Sequence, residues 1–221
     1  MRRVGVLLSG CGIYDGSEIQ ETVLLALALE RRGMRPVFVA PQGDQADVVD
    51  HSTAGAVEGA PARGVLEESA RLARGAIRPI REIAAGELDA AVVPGGIGTL
   101  KNLCVAAPGR IGGGPLRPEV SALLGDLARR KAPIAVLGLA EAVLAKQEGR
   151  SVSAATIAVP AGEVVVDEER RTLFTPGFMA TDDLLTVAEG IERLADRLAG
   201  WLGVGEALRV RRAPPQHGDL Q

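Results

Sequence analysis

The stretch "PIAVLGLAEAVLAK", Pro133 to Lys146, reads as an apolar strand, a single glycine and an apolar helix. An unbroken apolar strand followed at once by a helix is the pattern of a sheet buried on both faces. In many α/β enzymes the junction is a sharp, strained turn that holds a nucleophile out over the sheet edge. Here the turn residue is Gly138, which has no side chain to react. The chain has the outline of such an enzyme with the nucleophile position empty.

Outward from this junction, short apolar runs alternate with longer amphipathic stretches. "RVGVLLS" (Arg3 to Ser9) opens the series, followed by a glycine-rich turn and a helix from Glu18 to Arg32. "RPVFVAP" (Arg35 to Pro41) is the second strand, ending in a polar loop that carries His51. A helix over 65–74, then "RPIREIAAG", lead to the buried strand "LDAAVVPGG". Pro118 and Glu119 mark the start of a helix running to Arg130. After Lys146, "SVSAATIAV", "GEVVVDE" and "RTLFTPG" read as short strands with a β-ribbon among them, before a helix from Thr181 to Leu202. The alternation predicts an α/β fold: a doubly wound, mostly parallel sheet of flavodoxin-like type, flanked by helices. One domain is expected over 1–203, with 204–221 a flexible Pro- and Arg-containing tail.

Composition narrows the function. The 221 residues are 47% apolar and 24% charged, as in an ordinary globular domain. Only 2% are aromatic, so stacking platforms for single-stranded nucleic acid are not expected. A net charge of −3 gives no general attraction to phosphate backbones. No apolar run approaches about eighteen residues and no signal peptide is visible, so neither membrane partner nor export is expected and a cytoplasmic location is. Cys11 and Cys104 are then expected as free thiols. With two histidines, His51 and His217, there is no ligand spacing for zinc, and neither metal nor cofactor is expected.

In doubly wound sheets ligands bind beyond the carboxyl ends of the strands. Those ends carry "SGCGIYDGSE", "APQGDQADVVDHST", "PGGIGTLKN" and "GLAEA", which should converge on one crevice. In order along the chain, "VGVLLSGCGIYDGSEIQE", "RGAIRPI", "LDAAVVPGGIGTLKNL" and "VVVDEERRTLFTPGFM" closely resemble the ElbB-like group of the ThiJ/PfpI superfamily, which has the class I glutamine amidotransferase-like fold. The resemblance spans Val4 to Leu198. It implies glyoxalase-type chemistry linked to isoprenoid metabolism, and homodimers, which are common in the superfamily. ElbB-like proteins carry a cysteine at the elbow where this chain has Gly138, so the covalent thiol route is removed while the strained turn is kept. A second departure from the family is a shortened connection between Lys146 and Val164, and the resemblance assigns Glu18 as the acidic residue that contacts the elbow.

A carboxyl in an apolar crevice can exchange protons near neutral pH, which makes Glu18 the first catalytic candidate; the competing reading is a helix-cap residue. Cys11, on the strand-one loop, is the candidate replacement nucleophile. Gly95 and Gly96 expose backbone N–H groups that can polarise a carbonyl. Gly138 and Leu139 at the elbow, Tyr14, Asn102 and His51 complete the expected small-molecule site. Three functions follow: a cysteine-independent enzyme on a small oxo-compound (glyoxalase-, hydratase-, lyase- or isomerase-like), a catalytically silent binding or assembly protein, or glyoxalase chemistry using Cys11.

Overall fold

The structure is a computed structural model that describes residues 1–84, 86–105, 112 and 114–204. The expected tail lies outside the described residues apart from Val204, and so does His217. The strands are β1 (Arg3–Leu7), β2 (Arg35–Ala40), β3 (Val49–Asp50), β4 (Gly55–Ala56), β5 (Ile77–Pro79), β6 (Ala90–Val93), β7 (Ile134–Leu137), β8 (Val165–Asp167) and β9 (Thr172–Thr175). The helices are α1 (Ile19–Arg31), α2 (Val65–Leu72), α3 (Ile97–Leu103), α4 (Pro118–Arg129), α5 (Glu141–Gln147), α6 (Ala154–Ile157) and α7 (Leu184–Leu202). Seven strands form one sheet in the order β5-β2-β1-β6-β7-β9-β8, and every neighbouring pair is parallel except β8 with β9. The α/β, doubly wound fold read from the sequence is the fold observed. The antiparallel β8–β9 pair supplies the expected ribbon, and β3–β4 forms a separate two-stranded sheet.

Period-two side-chain alternation divides the central strands between two cores. Val4, Val6, Val92, Ala135 and Leu137 face the core shared with α1 and α7. Leu7, Ala91, Val93, Ile134 and Val136 face the other, shared with α4 and α5. Strands buried on both faces need an apolar residue at every position, which is why β6 and β7 read as unbroken apolar runs. Asp183 caps α7 by accepting from the Thr186 N–H at 3.0 Å, and Gly203 ends it in the left-handed region at φ +65.

One expectation for an element fails. "SVSAATIAV" is not a strand: Ser153 Oγ accepts from the Thr156 N–H at 3.0 Å and starts the short helix α6. The capping bond competes with extended backbone wherever a serine precedes small residues.

The chain builds β1, β2 and β5 outward on one side and then crosses to β6 on the other side of β1. Two adjacent strands whose connections leave in opposite directions open a crevice at their carboxyl ends. The loops that follow β1 and β6 meet there. The Glu18 N–H donates to Gly95 O at 2.9 Å and the Ile97 N–H to Ile13 O at 2.6 Å.

Candidate functional site at the elbow

Gly138 follows β7 directly, with φ +50, and begins a 3-10 turn, Gly138–Ala140, that leads into α5. The elbow is therefore at a strand-to-helix turn at the sheet edge, as the sequence implied. A Cβ added to Gly138 would lie 3.3 Å from Pro176 O, 3.6 Å from Met179 Cγ and 3.7 Å from Glu21 Oε1. A carboxyl oxygen thus lies within van der Waals contact of the place of the missing Cβ, and it belongs to Glu21.

Glu21 is buried, with 2% of its surface exposed, on the face of α1 that also buries Leu25, Ala28 and Leu29. Its Oε2 accepts the Gly95 N–H at 2.8 Å and its Oε1 the Phe178 N–H at 3.1 Å. Two glycines make room for it. A Cβ on Gly95 would come within 2.7 Å of Oε2, and one on Gly177, at φ +54, would overlap Oε1. Gly138 is not required for this, since a Cβ there would make only an ordinary contact with Oε1 at 3.7 Å. Burial pushes the Glu21 carboxyl up to about 7; the two N–H donors oppose this, and the nearby Glu18 charge adds to it. A group at that value is half protonated at neutral pH, the condition for giving and taking protons.

The carboxylate expected at the elbow was Glu18, and the structure places it otherwise. Glu18 is the N-cap of α1: its Oε2 accepts the Glu21 N–H at 2.6 Å, the arrangement that satisfies an orphan helix donor. Burial raises its carboxyl and bonds from the Glu21, Gln20 and Ile19 N–H groups pull it down. The two acids are three residues apart, and the one inside the helix faces the sheet while the one at the cap faces the turn. One sequence signal distinguishes them: positions 21, 25, 28 and 29 share a helical face, so Glu21 is an acid on an otherwise apolar stripe.

The glycine turn is also rearranged relative to expectation. The Gly95 N–H is held by Glu21, so it does not point to an open carbonyl site. Gly96 has φ +106, and a Cβ there would come within 2.5 Å of Gly16 O, so glycine is required for the approach of the two loops. Leu139, the residue after the elbow, is half-buried in the 3-10 turn.

The remaining expected residues form a second group on the loops after β1 and β2. Asn102 is buried and fully engaged: Nδ2 donates to Ser9 O (2.7 Å) and Asp15 O (2.8 Å), and Oδ1 accepts from the Ala46 N–H (2.9 Å). It clamps two loops with both amide protons used, and its buried position, with 1% of its surface exposed, keeps it from a ligand. His51 Nδ1 lies 3.2 Å from Val49 O, and Nε2 lies 3.5 Å from both Asp15 Oδ1 and the Tyr14 nitrogen. Both ring nitrogens are turned into the loop. The Tyr14 ring stacks obliquely on His51 with centroids 5.3 Å apart, and the Tyr14 carbonyl accepts from Lys101 Nζ at 2.9 Å. Cys11 is a half-buried free thiol raised by burial and by Glu68, with Asp15 adding and Arg71 opposing. It is the reverse of the lowered thiol that a replacement nucleophile needs. Cys104 is free and buried, and burial raises it too. Among the described residues no group of three or more His, Cys, Asp or Glu is placed to hold a metal ion, and no helix is long and apolar enough to cross a membrane.

No family model matches the chain. Individual relatives do. The rat (Rattus norvegicus) ES1 protein homolog, mitochondrial, is 32% identical over 222 residues, covering 89% of this chain and 82% of the relative. The human glutamine amidotransferase-like class 1 domain-containing protein 3, mitochondrial, is 32% identical over 215 residues, covering 86% and 79%. This chain belongs to the ES1 family of glutamine amidotransferase-like class 1 proteins. Among solved structures, an isoprenoid biosynthesis protein with amidotransferase-like domain from Ehrlichia chaffeensis superposes with a TM-score of 0.80 at 29% identity, covering 90% of this chain and 99% of that one. The ElbB-like resemblance read from the motifs therefore stands. The cytoplasmic location does not: the rat and human relatives are mitochondrial proteins, which overturns that expectation.

Proposed function

We propose that the protein is a cysteine-independent enzyme that moves protons on a small oxo-compound, with Glu21 as the acid–base group. One observation carries this reading: a buried carboxyl held near pH 7 faces the place where an elbow side chain would project. With no thiol at residue 138, an electrophilic carbonyl is not captured covalently at the elbow. The ionised Glu21 removes a proton from the carbon beside the carbonyl and the acid form returns it to the neighbouring atom, which is a rearrangement; in an elimination the acid form instead gives the proton to the departing group, and in a hydration the proton removed is that of an added water. The Gly95 N–H holds the base, which leaves the N–H groups of Gly96 and Leu139 for the carbonyl oxygen. A panel of α-oxoaldehydes and related carbonyl compounds tests this before and after exhaustive thiol alkylation. Turnover that survives alkylation is the expected result; turnover abolished by alkylation would return the chemistry to Cys11.

The alternative is a silent relative kept for binding or assembly. It is favoured by one feature, the two N–H bonds that make Glu21 a staple between α1, the Gly95 turn and the Phe178 segment. Absence of turnover on the whole panel would select it.

The homodimer expected from the resemblance is also proposed, through α1. Ile19, Val23 and Leu27 recur every fourth residue on its outer face and are 43%, 55% and 43% exposed. A row of this kind is the natural centre of a self-complementary interface. Light scattering is expected to give twice the 22.9 kDa chain mass, and Val23→Asp should return the mass to that of one chain. A wild-type protein that scatters as a single chain at micromolar concentration sinks the dimer.

A further inference from the structure

A row of hydroxyls lies against the Pro94–Gly95 turn, fully buried and outside the chemistry described so far. Ser9, Ser17 and Thr99 have no exposed surface. Ser17 Oγ accepts from the Ser9 N–H at 3.0 Å and lies 3.1 Å from Ser9 Oγ. Ser9 Oγ in turn lies 3.1 Å from Thr99 Oγ1. The single Thr99 Oγ1 proton is shared between Gly95 O at 3.0 Å and Pro94 O at 3.2 Å, a three-centre hydrogen bond.

A helical threonine that bonds back to the carbonyl four residues earlier is common and needs no function. The second acceptor is what differs here. Pro94 O belongs to the same peptide unit as the Gly95 N–H, and that N–H is the donor to Glu21 Oε2. A hydrogen bond to a peptide oxygen polarises the unit and strengthens the donor at its other end. It also fixes the plane of the peptide, and with it the direction of the N–H. The neighbouring unit is pinned as well, since Gly95 O also accepts the Glu18 N–H at 2.9 Å.

We infer that Ser9 and Thr99 are positioning residues for Glu21: the hydroxyl row holds the Pro94–Gly95 peptide so that its N–H stays on Oε2 and favours the ionised carboxyl. The inference rests on the reading of Glu21 as the proton-transfer group. Among the described residues Glu18 is the charged group acting on Glu21, and it sits on the same helix; the sheet side contributes backbone donors and glycines. The Gly95 donor is therefore the adjustable element of the site.

The test uses the full chain labelled with 13C at glutamate side-chain carboxyls, with the Glu21 signal assigned by its loss in Glu21→Gln. The wild-type signal should titrate with a midpoint near 7. In Thr99→Val, which keeps the shape and removes the hydroxyl, Glu21 should hold its proton about threefold more tightly, and Thr99→Ser should restore the wild-type midpoint. Ser9→Ala removes the next hydroxyl without touching α3 and should move the midpoint in the same direction by less, so the question stays answerable if Thr99→Val does not fold. Identical titrations of the wild type and the hydroxyl-deleted variants would overturn the positioning role. A wild-type Glu21 that does not titrate between about pH 5 and 9 would instead overturn the acid–base reading itself.

Discussion

Glu21→Gln should lower turnover on any carbonyl substrate by about 10² to 10⁴-fold, the usual contribution of a positioned acid–base group. The amide matches the protonated carboxyl in shape and can accept one of the two N–H bonds, but it cannot take up a proton. The same substitution has a signature in stability that does not require a substrate. The folded-state value of Glu21 is about 7 against an ordinary 4.5, so between those pH values the folded chain binds more protons than the unfolded one. Its contribution is therefore fully present below the unfolded value and is lost as pH rises through 7, amounting to about 3 kcal/mol. In urea unfolding from pH 4.5 to 8 the wild type should lose that amount relative to Glu21→Gln, which lacks the titration. Parallel pH profiles for the two proteins would show that the carboxyl is not held as the geometry implies.

Gly98→Ala should destabilise the fold by about 3 kcal/mol, at the upper end of overpacking effects. Gly98 is the second residue of α3 and packs directly on the strand-one loop, where an added Cβ would overlap the Gly16 amide nitrogen and the Asp15 carbonyl carbon. Both are backbone, so the loop itself must move. The gain in helix propensity from alanine, about 1 kcal/mol, acts in the opposite direction and is smaller. Gly200→Ala in α7 is the matched control, because nothing lies within 4 Å of its Cβ position. It should stabilise by about 1 kcal/mol or less. Unfolding midpoints that move together in the two variants would mean that the close approach of α3 and the loop is not a constraint.

The alternation of apolar runs made the sheet legible, and the isolated glycine between β7 and α5 made the elbow legible, because both are local patterns with a direct physical meaning. The ranking of two carboxylates three residues apart was not local. Glu18 and Glu21 both open α1, and the choice between them depends on which helical face meets the sheet; the apolar series at 25, 28 and 29 held that information. Asn102 and His51 looked available because they are polar residues on loops at the correct edge. They are instead bonded to Ser9, Asp15, Ala46 and Val49, partners up to 93 residues away that no sequence window joins. The β3–β4 hairpin, two residues per strand, is too short to have any periodicity to read.

The Glu21 staple also has a consequence for the order in which the chain acquires its chemistry. Glu21 is made early, but its two donors come from Gly95 and from Phe178, the latter 157 residues beyond Glu21 itself. A nascent chain that has released α1 but not β9 carries an ordinary solvated glutamate, ionised and unable to exchange protons near neutrality. Closing contacts between such distant segments is slow compared with forming helices. The site is therefore one of the last features to mature during synthesis, and partly made or partly refolded molecules carry the fold's outline without the buried, raised carboxyl.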